Sequence, residues 1–520
     1  FFPSQERNVT IGEAVKAMVI NALGFSSRAL YLSPEFFRNK PIELLFRPDL
    51  QATDFNDDSL GRALDALFEG NITTIFAQTA STALASFDID HRFYHLDSSS
   101  FSFHGQYLQS PESNVAEDVL EDTEEPVPIN ICRGYSKDHR PELKQALVSL
   151  ICAFKSNLPL WLEALDGNSS DKKSFPKTIK AFLQQLEDGK SPCFIVDSAL
   201  YSAENLKELS EVHWLTRVPE TLKLAKELLD EVTDAELQKT EDSDYQLYEV
   251  SREYGGVEHR WILVQSQKAK EREWQSFQKR LEKAKQKALK EFEGLKRQEF
   301  NCWEDAEAVL CKAEKKWRYH QADHLEFEEV YHYKSKGRPK KDATPDRTSW
   351  KITGELIEDR EAIERVEKSV GRFILATNMP EELLSNEDAL MNYKAQGTSV
   401  ERGFRFLKDP MFFAEGVYLK KPSRIMGLMM VMTLSLLVYA LAERELREKL
   451  KAHNDTLPDQ KGKPTQKITM RRVFQMFEGI DVLLVDAGGS FQKIILNVND
   501  HHHKIFSYLG ENVRKCYEFV

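Results

Sequence analysis

The sequence predicts an α/β fold, a mixed sheet with helices, carrying a helical N-terminal region and a large α+β insertion. Three observations predict it. Two short strand-like runs, Tyr94-His-Leu-Asp97 and Cys193-Phe-Ile-Val-Asp197, each deliver an aspartate and are separated by helix-length stretches. That alternation is how α/β sheets are built. Residues 1–90 carry helical patterning alone, and residues 220–385 interrupt the order with strand pieces around a long charged stretch.

In the N-terminal region, Thr10-x-x-Glu13 is a capping box before an apolar face of Ala14, Val15, Met18, Val19, Ala22 and Leu23, with Gly24 as the stop. Asp58 is the expected cap of a second helix bearing Leu60, Leu64, Leu67 and Phe68. Alternation of Phe93, His95 and Asp97 with Tyr94 and Leu96 then marks a strand that Asp97 is expected to end. Residues 111–128, rich in Glu and Asp and closed by Pro126 and Pro128, read as an exposed acidic loop. Ile129–Cys132 reads as a short strand, Gly134-Tyr-Ser-Lys-Asp-His-Arg-Pro141 as a loop, and the stretch through Ala153 as a helix. Cys193–Val196 and Trp214–Val218 are compact buried strands.

Within the insertion, Tyr245–Val250 and Trp261–Val264 are strand-like, followed by a charged helical stretch from Lys268 to Phe300 and on towards Trp317. Basic residues outnumber acidic ones there, so the stretch is either a solvated helical pair or a face that lies along DNA. A strand at Leu325–Tyr333 leads to Lys334-Ser-Lys-Gly-Arg-Pro-Lys-Lys341, and a strand at Phe373–Ala376 precedes a helix expected to open near Glu387 and carry Tyr393, Glu401 and Lys408. Ile425–Leu441 is 17 residues of almost wholly apolar sequence, at the lower limit for a membrane span. Its basic flank at Lys420, Lys421 and Arg424 and its charged flank at Glu443–Arg447 favour a buried core helix. A basic linker near Lys461–Lys467 leads to a small C-terminal unit.

With 520 residues, three or four units are expected. Hydrophobic residues at 41% and charged residues at 30% fit a soluble globular protein and exclude a disordered or fibrous one. The net charge of -12 repels DNA on average, so a nucleic-acid site would have to be a local basic surface. Cys132, Cys152, Cys193, Cys302, Cys311 and Cys516 form no C-x-x-C pair and follow no secretory leader, which suggests reduced thiols in cytoplasm.

Paired aspartates at strand ends of an α/β sheet sit where such sheets place ligands. They hold hard cations, or one of them works as an acid or base, or they are ordinary loop residues. Ser98, Ser99, Ser100 and Ser198 follow them, leaving no apolar pocket for a neutral acid, and metal binding is favoured. Glu401, Arg405 and Lys408 share one helix face, with Phe404 and Leu407 on an adjoining one. That pattern suits a metal beside phosphates and equally an ordinary salt-bridged helix.

Tyr-His-Leu-Asp97 with its serines, Gly134-Tyr-Ser-Lys-Asp-His-Arg-Pro-Glu-Leu-Lys144, Phe-Ile-Val-Asp197, Trp-Leu-Thr-Arg-Val-Pro219 and Val-Glu401-Arg-Gly-Phe-Arg-Phe-Leu-Lys408 together resemble bacterial insertion-sequence transposases of the DDE class. The likeness is to the group with a ribonuclease-H-like core, a long insertion before the glutamate and a tyrosine-arginine-glutamate-lysine signature. Five motifs in the family's order make it specific. The resemblance implies that Asp97, Asp197 and Glu401 are a catalytic, metal-binding triad for Mg²⁺, with Mn²⁺ able to substitute. It implies Lys137, Arg140, Arg217 and Lys408 as contacts to DNA phosphate, with Arg402 or Arg405 as a substitute for the signature's arginine in contacting DNA, against a bland reading as surface charge.

Glu401-x6-Lys408 matches the signature, whereas Tyr393 lies one position too far from the glutamate and Gln396 or Gly397 stands where its arginine belongs. Tyr393 is therefore either a DNA contact or a helix-packing residue. Arg338, Lys340 and Lys341 have the form of a minor-groove hook or of a basic loop on the backbone. His501–His503 receive no role.

The implied activity is metal-dependent cleavage of element ends and strand transfer into target DNA by a two-metal mechanism. Implied partners are double-stranded DNA, at transposon ends and target, and a second copy forming a homodimer in the DNA complex. Neither a membrane nor a small-molecule substrate is implied, and the location would be the bacterial cytoplasm, at the nucleoid when bound. The alternatives are a metal-dependent nuclease that does not join and a transposase-derived regulatory protein that binds DNA without turnover. The expected divisions are 1–90 for DNA-end or subunit contacts, 91–219 and 386–450 for the two parts of the core, 220–385 for the insertion and 451–520 for the C-terminal unit.

Overall fold

The computed structural model describes residues 8–24, 30–87, 89, 92–105, 107, 126–154, 156–186, 191–242, 244–334, 344–409, 419–486, 488 and 491–517. The architecture is mixed α/β, in two compact units. One comprises residues 1–216, 254–257 and 391–520, and the other residues 217–253 and 258–390.

The first unit is built on five strands, β1 (Phe93–Phe103), β2 (Lys144–Ala153), β3 (Pro159–Leu165), β4 (Cys193–Val196) and β5 (His213–Arg217), in the order β3-β2-β1-β4-β5. The pairs β1/β2 and β2/β3 are antiparallel, and β1/β4 and β4/β5 are parallel. Expected strands at 193–196 and 214–218 are present, and two expectations are corrected. Lys144–Ala153 is the strand β2, not a helix: apart from Lys144 it is buried throughout between two neighbours, so no alternation survives to distinguish a strand from an apolar helix. Asp97 does not end its strand. β1 runs on along β2 as far as Phe103, and only its pairing with β4 stops at Leu96. Ile129–Cys132 makes an isolated bridge, Cys132 to Gln145, rather than a strand.

Helices Ile11–Leu23, Asp57–Glu69 and Ile72–Ser86 form the N-terminal layer. The Thr10–Glu13 capping box is present, whereas Asn56, not Asp58, caps the second helix by accepting from Ser59 N at 3.0 Å. All three pack on the long helix Pro422–Ala452. This helix is long and apolar enough to cross a membrane, yet 67% of its most apolar window is buried inside the protein. Met426, Met429, Met430, Val431, Leu436 and Leu437 are all covered, which makes it a core helix. The C-terminal helix Asp500–Leu509 packs on it too, through a cluster that includes Leu446, Leu450, Met470, Val473 and Ile505.

In the second unit, strands β6 (Gln238–Lys239), β7 (Tyr245–Tyr254), β8 (Val257–Ser266) and β11 (Arg372–Thr377) follow the order β11-β8-β7-β6, while β9 (His320–His332) and β10 (Arg347–Glu358) form an antiparallel hairpin. The charged stretch is one helix, Gln267–Arg297, followed by Trp303–Glu314. Phe292, Leu295, Phe300, Leu310, Trp317 and Ile352 form a core between these helices and the hairpin.

Candidate active site

Parallel pairing of β1 with β4 puts Leu96 opposite Val196, so Asp97 and Asp197, each one residue further on, are neighbours at the edge of the pairing. Both are half-buried. Burial pushes the Asp97 carboxyl up to about 7, with Asp197 and Asp171 adding repulsion and Lys137 and the Ser98 N–H opposing it. The Asp197 carboxyl is also raised, first by burial and then by Asp171, against the Ala199 N–H and Lys137. Thr216 Oγ1 donates to Asp197 O at 2.6 Å and fixes that strand end against β5.

Asp171, in the first turn of helix Asp171–Leu183, is a third carboxylate here that sequence reasoning missed. It pairs with Lys137 Nζ at 2.8 Å and accepts from the Ser98 hydroxyl. Lys137 Nζ also donates to Ser98 O at 2.8 Å and stands 3.8 Å from Asp97 Oδ1. Burial works against the Lys137 charge, but Asp97, Asp171 and Asp197 outweigh it and hold the ammonium above its usual range. With every group ionised, three carboxylates against one ammonium leave a charge of about −2, that of one divalent cation in reverse.

The loop that delivers Lys137 is fastened at both ends. Gln145 Nε2 donates to Tyr135 O at 3.0 Å and to Gly167 O at 2.7 Å, and a Cβ on Gly134 would stand 2.0 Å from Gly167 O. Next to Lys137, Asp138 accepts from Lys408 Nζ at 2.8 and 2.9 Å. Lys408 also lies over the Phe101 ring, 5.6 Å from its centroid.

Tyr393, Glu401 and Lys408 do not share one helix as expected. The chain forms a helix at Asn386–Lys394, a 3₁₀ turn at Ala395–Thr398 and a second helix at Val400–Leu407, with Lys408 as its C-cap. Gln396-Gly-Thr-Ser399 is poor in helix formers, and Ser399 leaves helical geometry at φ -104°, ψ -99°. The second helix buries Val400, Gly403, Phe404 and Leu407 and leaves Glu401 and Arg405 exposed. It packs on β1 and β2. His95 and Phe101 share the Asp97 face of β1, and they meet Asn392 O (3.0 Å from His95 Nε2) and Lys408 respectively. Glu401 thus rides on an element laid over the correct face, with its carboxylate in solvent.

Oxygen donors at Asp97 and Asp197, with their mutual repulsion, fit a hard cation. Among the described residues, however, no three His, Cys, Asp or Glu side chains converge to hold a metal. Arg402 is bidentate on the buried Glu443, at 2.6 and 2.9 Å, and Glu443 also takes Arg447 and the Met470 N–H. Arg140 is paired with Glu142, and Arg217 with Glu220 while lying over the Phe373 ring. Tyr393 is half-buried. Arg338, Lys340 and Lys341 lie outside the described residues. Besides Asp171, sequence reasoning missed Gln145 and Glu443, whose importance lies in contacts far apart in the chain and has no local signal.

Residues 90–438 match a family model described as a transposase DDE domain, and residues 2–81 match one described as a domain of unknown function (DUF4277). No curated protein matches the chain. Among solved structures, the cryo-EM structure of a piggyBac transposase synaptic complex with hairpin DNA is similar at 9% identity and a TM-score of 0.38, over 91% of this chain and 72% of that one. With the transposase model spanning residues 90–438 of 520, the chain belongs to the DDE transposase domain family.

Proposed function

We propose that the chain is a bacterial insertion-sequence transposase that cuts the ends of its element and joins the freed 3′-hydroxyls to target DNA, with a ribonuclease-H-like core. The observation that carries this reading is the juxtaposition of Asp97 and Asp197 on adjacent parallel strands, both within the residues that match the transposase DDE domain. The strand order β3-β2-β1-β4-β5 supports the core assignment.

In this reading Asp97 and Asp197 hold Mg²⁺, or Mn²⁺ in its place, and Glu401 completes the set. Two bound ions would activate the attacking water or 3′-hydroxyl and stabilise the leaving oxygen. The chain's own residues supply the rest. Lys137, held by Asp171 and Ser98, offsets part of the carboxylate repulsion. Arg405, exposed and without an ion pair among the described residues, offers a guanidinium to a phosphate on the same helix face as Glu401. Lys408 can do the same once it leaves Asp138. Arg402 serves differently: its bonds to Glu443 tie the helix to the core. Double-stranded DNA is the partner, a homodimer is the form that pairs two element ends, and the bacterial nucleoid is the place of action.

Glu401 standing clear of the aspartates favours a second reading, a transposase-derived regulatory protein that binds DNA without turnover. Glu401→Gln separates them. Mg²⁺-dependent cutting and joining of DNA bearing the element's ends is expected in the parent and a loss of about 10³-fold or more in the variant, with binding retained. Cutting without joining in the parent would leave a nuclease. Equal behaviour of parent and variant would remove Glu401 from the chemistry.

A further inference from the structure

The helix Gln267–Arg297 carries eleven Lys and Arg against five Glu, a net of +6 on a chain of -12. Its charges are sorted. At roughly 100° per residue, Arg272, Lys279, Lys283, Lys287, Lys290 and Arg297 fall within an arc of about 80°, and none of the five glutamates does. The buried residues Phe277, Ala288, Phe292 and Leu295 lie on the opposite side of the helix. All six cations are exposed, and among the described residues none of the six is in an ion pair. From Arg272 to Arg297 the stripe runs roughly 38 Å along the helix axis.

We propose that this stripe is a docking surface for the phosphate backbone of duplex DNA, without sequence preference. It rests on the reading of the chain as an enzyme acting on duplex DNA and adds a second contact region, carried by the unit formed by residues 217–253 and 258–390. A lipid surface fits poorly, because the apolar side of the helix is committed to a core of Phe292, Leu295, Phe300 and Trp317 and is not free to insert. A row of unneutralised cations on an otherwise acidic protein fits a partner of high, regular line charge. DNA supplies one negative charge per roughly 1.7 Å, and the stripe is as long as about 11 base pairs. Six cations with no ion pair among the described residues repel one another along the stripe until such a partner arrives.

The test uses the full chain, a duplex of about 40 base pairs of arbitrary sequence, and binding measured across a KCl series in EDTA. Replacing Lys279, Lys283 and Lys287 together by Gln keeps good helix formers at exposed positions and breaks no ion pair. The slope of log affinity against log salt should become shallower by about 2.7, at about 0.9 for each phosphate that is no longer neutralised, with equal weakening on any sequence. A control replacing exposed Lys239, Lys312 and Lys368 by Gln removes the same charge elsewhere and should leave the slope within about half a unit of the parent. An unchanged slope in the first variant, or an equal change in the control, overturns the stripe while the parent's binding and cutting preserve the transposase reading. A parent that neither binds nor cuts duplex DNA overturns both. Retained binding to duplex DNA in the variant, with lost binding to an acidic polypeptide such as polyglutamate, would show that the stripe serves a protein instead.

Discussion

Asp97 feels the repulsion of two other carboxylates, Asp197 and Asp171, and the cost of its position depends on pH. Its native carboxyl titrates at about 7, raised chiefly by burial, against about 3.9 in the unfolded chain. Between those values the native state binds the proton more tightly than the unfolded state, so this group's contribution declines as pH rises and is wholly unfavourable above pH 7. Asp97→Asn is therefore expected to raise the thermal midpoint in EDTA, more at pH 8 than at pH 5, with a gain on the order of 1–2 kcal/mol. Equal gains at both pH values would show that the carboxylate is not under this strain. Asp97 and Asp197 were legible in sequence because each follows an apolar strand run. Asp171 was not, since an acidic residue in the first turn of a helix is ordinary there and nothing local places it beside Lys137.

Elements carry the next level of control. The loop bearing Lys137 depends on the close approach of Gly134 to Gly167, where any side chain would strike backbone. Gly134→Ala should cost about 1–3 kcal/mol in denaturant unfolding and weaken metal-dependent cutting, while an exposed change nearby such as Tyr135→Ala should cost under about 0.5 kcal/mol. A silent Gly134→Ala would mean that the two glycines are not packed as described. Strands β4 and β5 and the core helix could be read from sequence because their boundaries carry signals. Strand β2 could not: central burial erased its period, and an apolar run looks the same in either conformation. The break at Gln396–Ser399 was missed for the opposite reason, since the helical spacing of Glu401, Arg405 and Lys408 held beyond it and invited extension backwards.

At the scale of the whole chain, the acidic balance and the clustered aspartates predict a response to cations. Saturating Mg²⁺, at about 100 times its dissociation constant, should stabilise the parent by about 2.7 kcal/mol, and the Asp97→Asn/Asp197→Asn variant by little. The same rise in both would place the binding elsewhere. The core helix Pro422–Ala452 gathers the N-terminal helices, the C-terminal cluster and the Val400–Leu407 helix on one shaft. That last helix is held through Arg402 on Glu443, through Phe404 and Leu407 in the core, and through Lys408 on Asp138. While those contacts hold, the helix resists rolling. If Glu401 is to join Asp97 and Asp197 with those contacts intact, its own torsions are the motion left to it. Such hops of an exposed side chain take picoseconds to nanoseconds, so completing the acidic set would impose no delay on turnover.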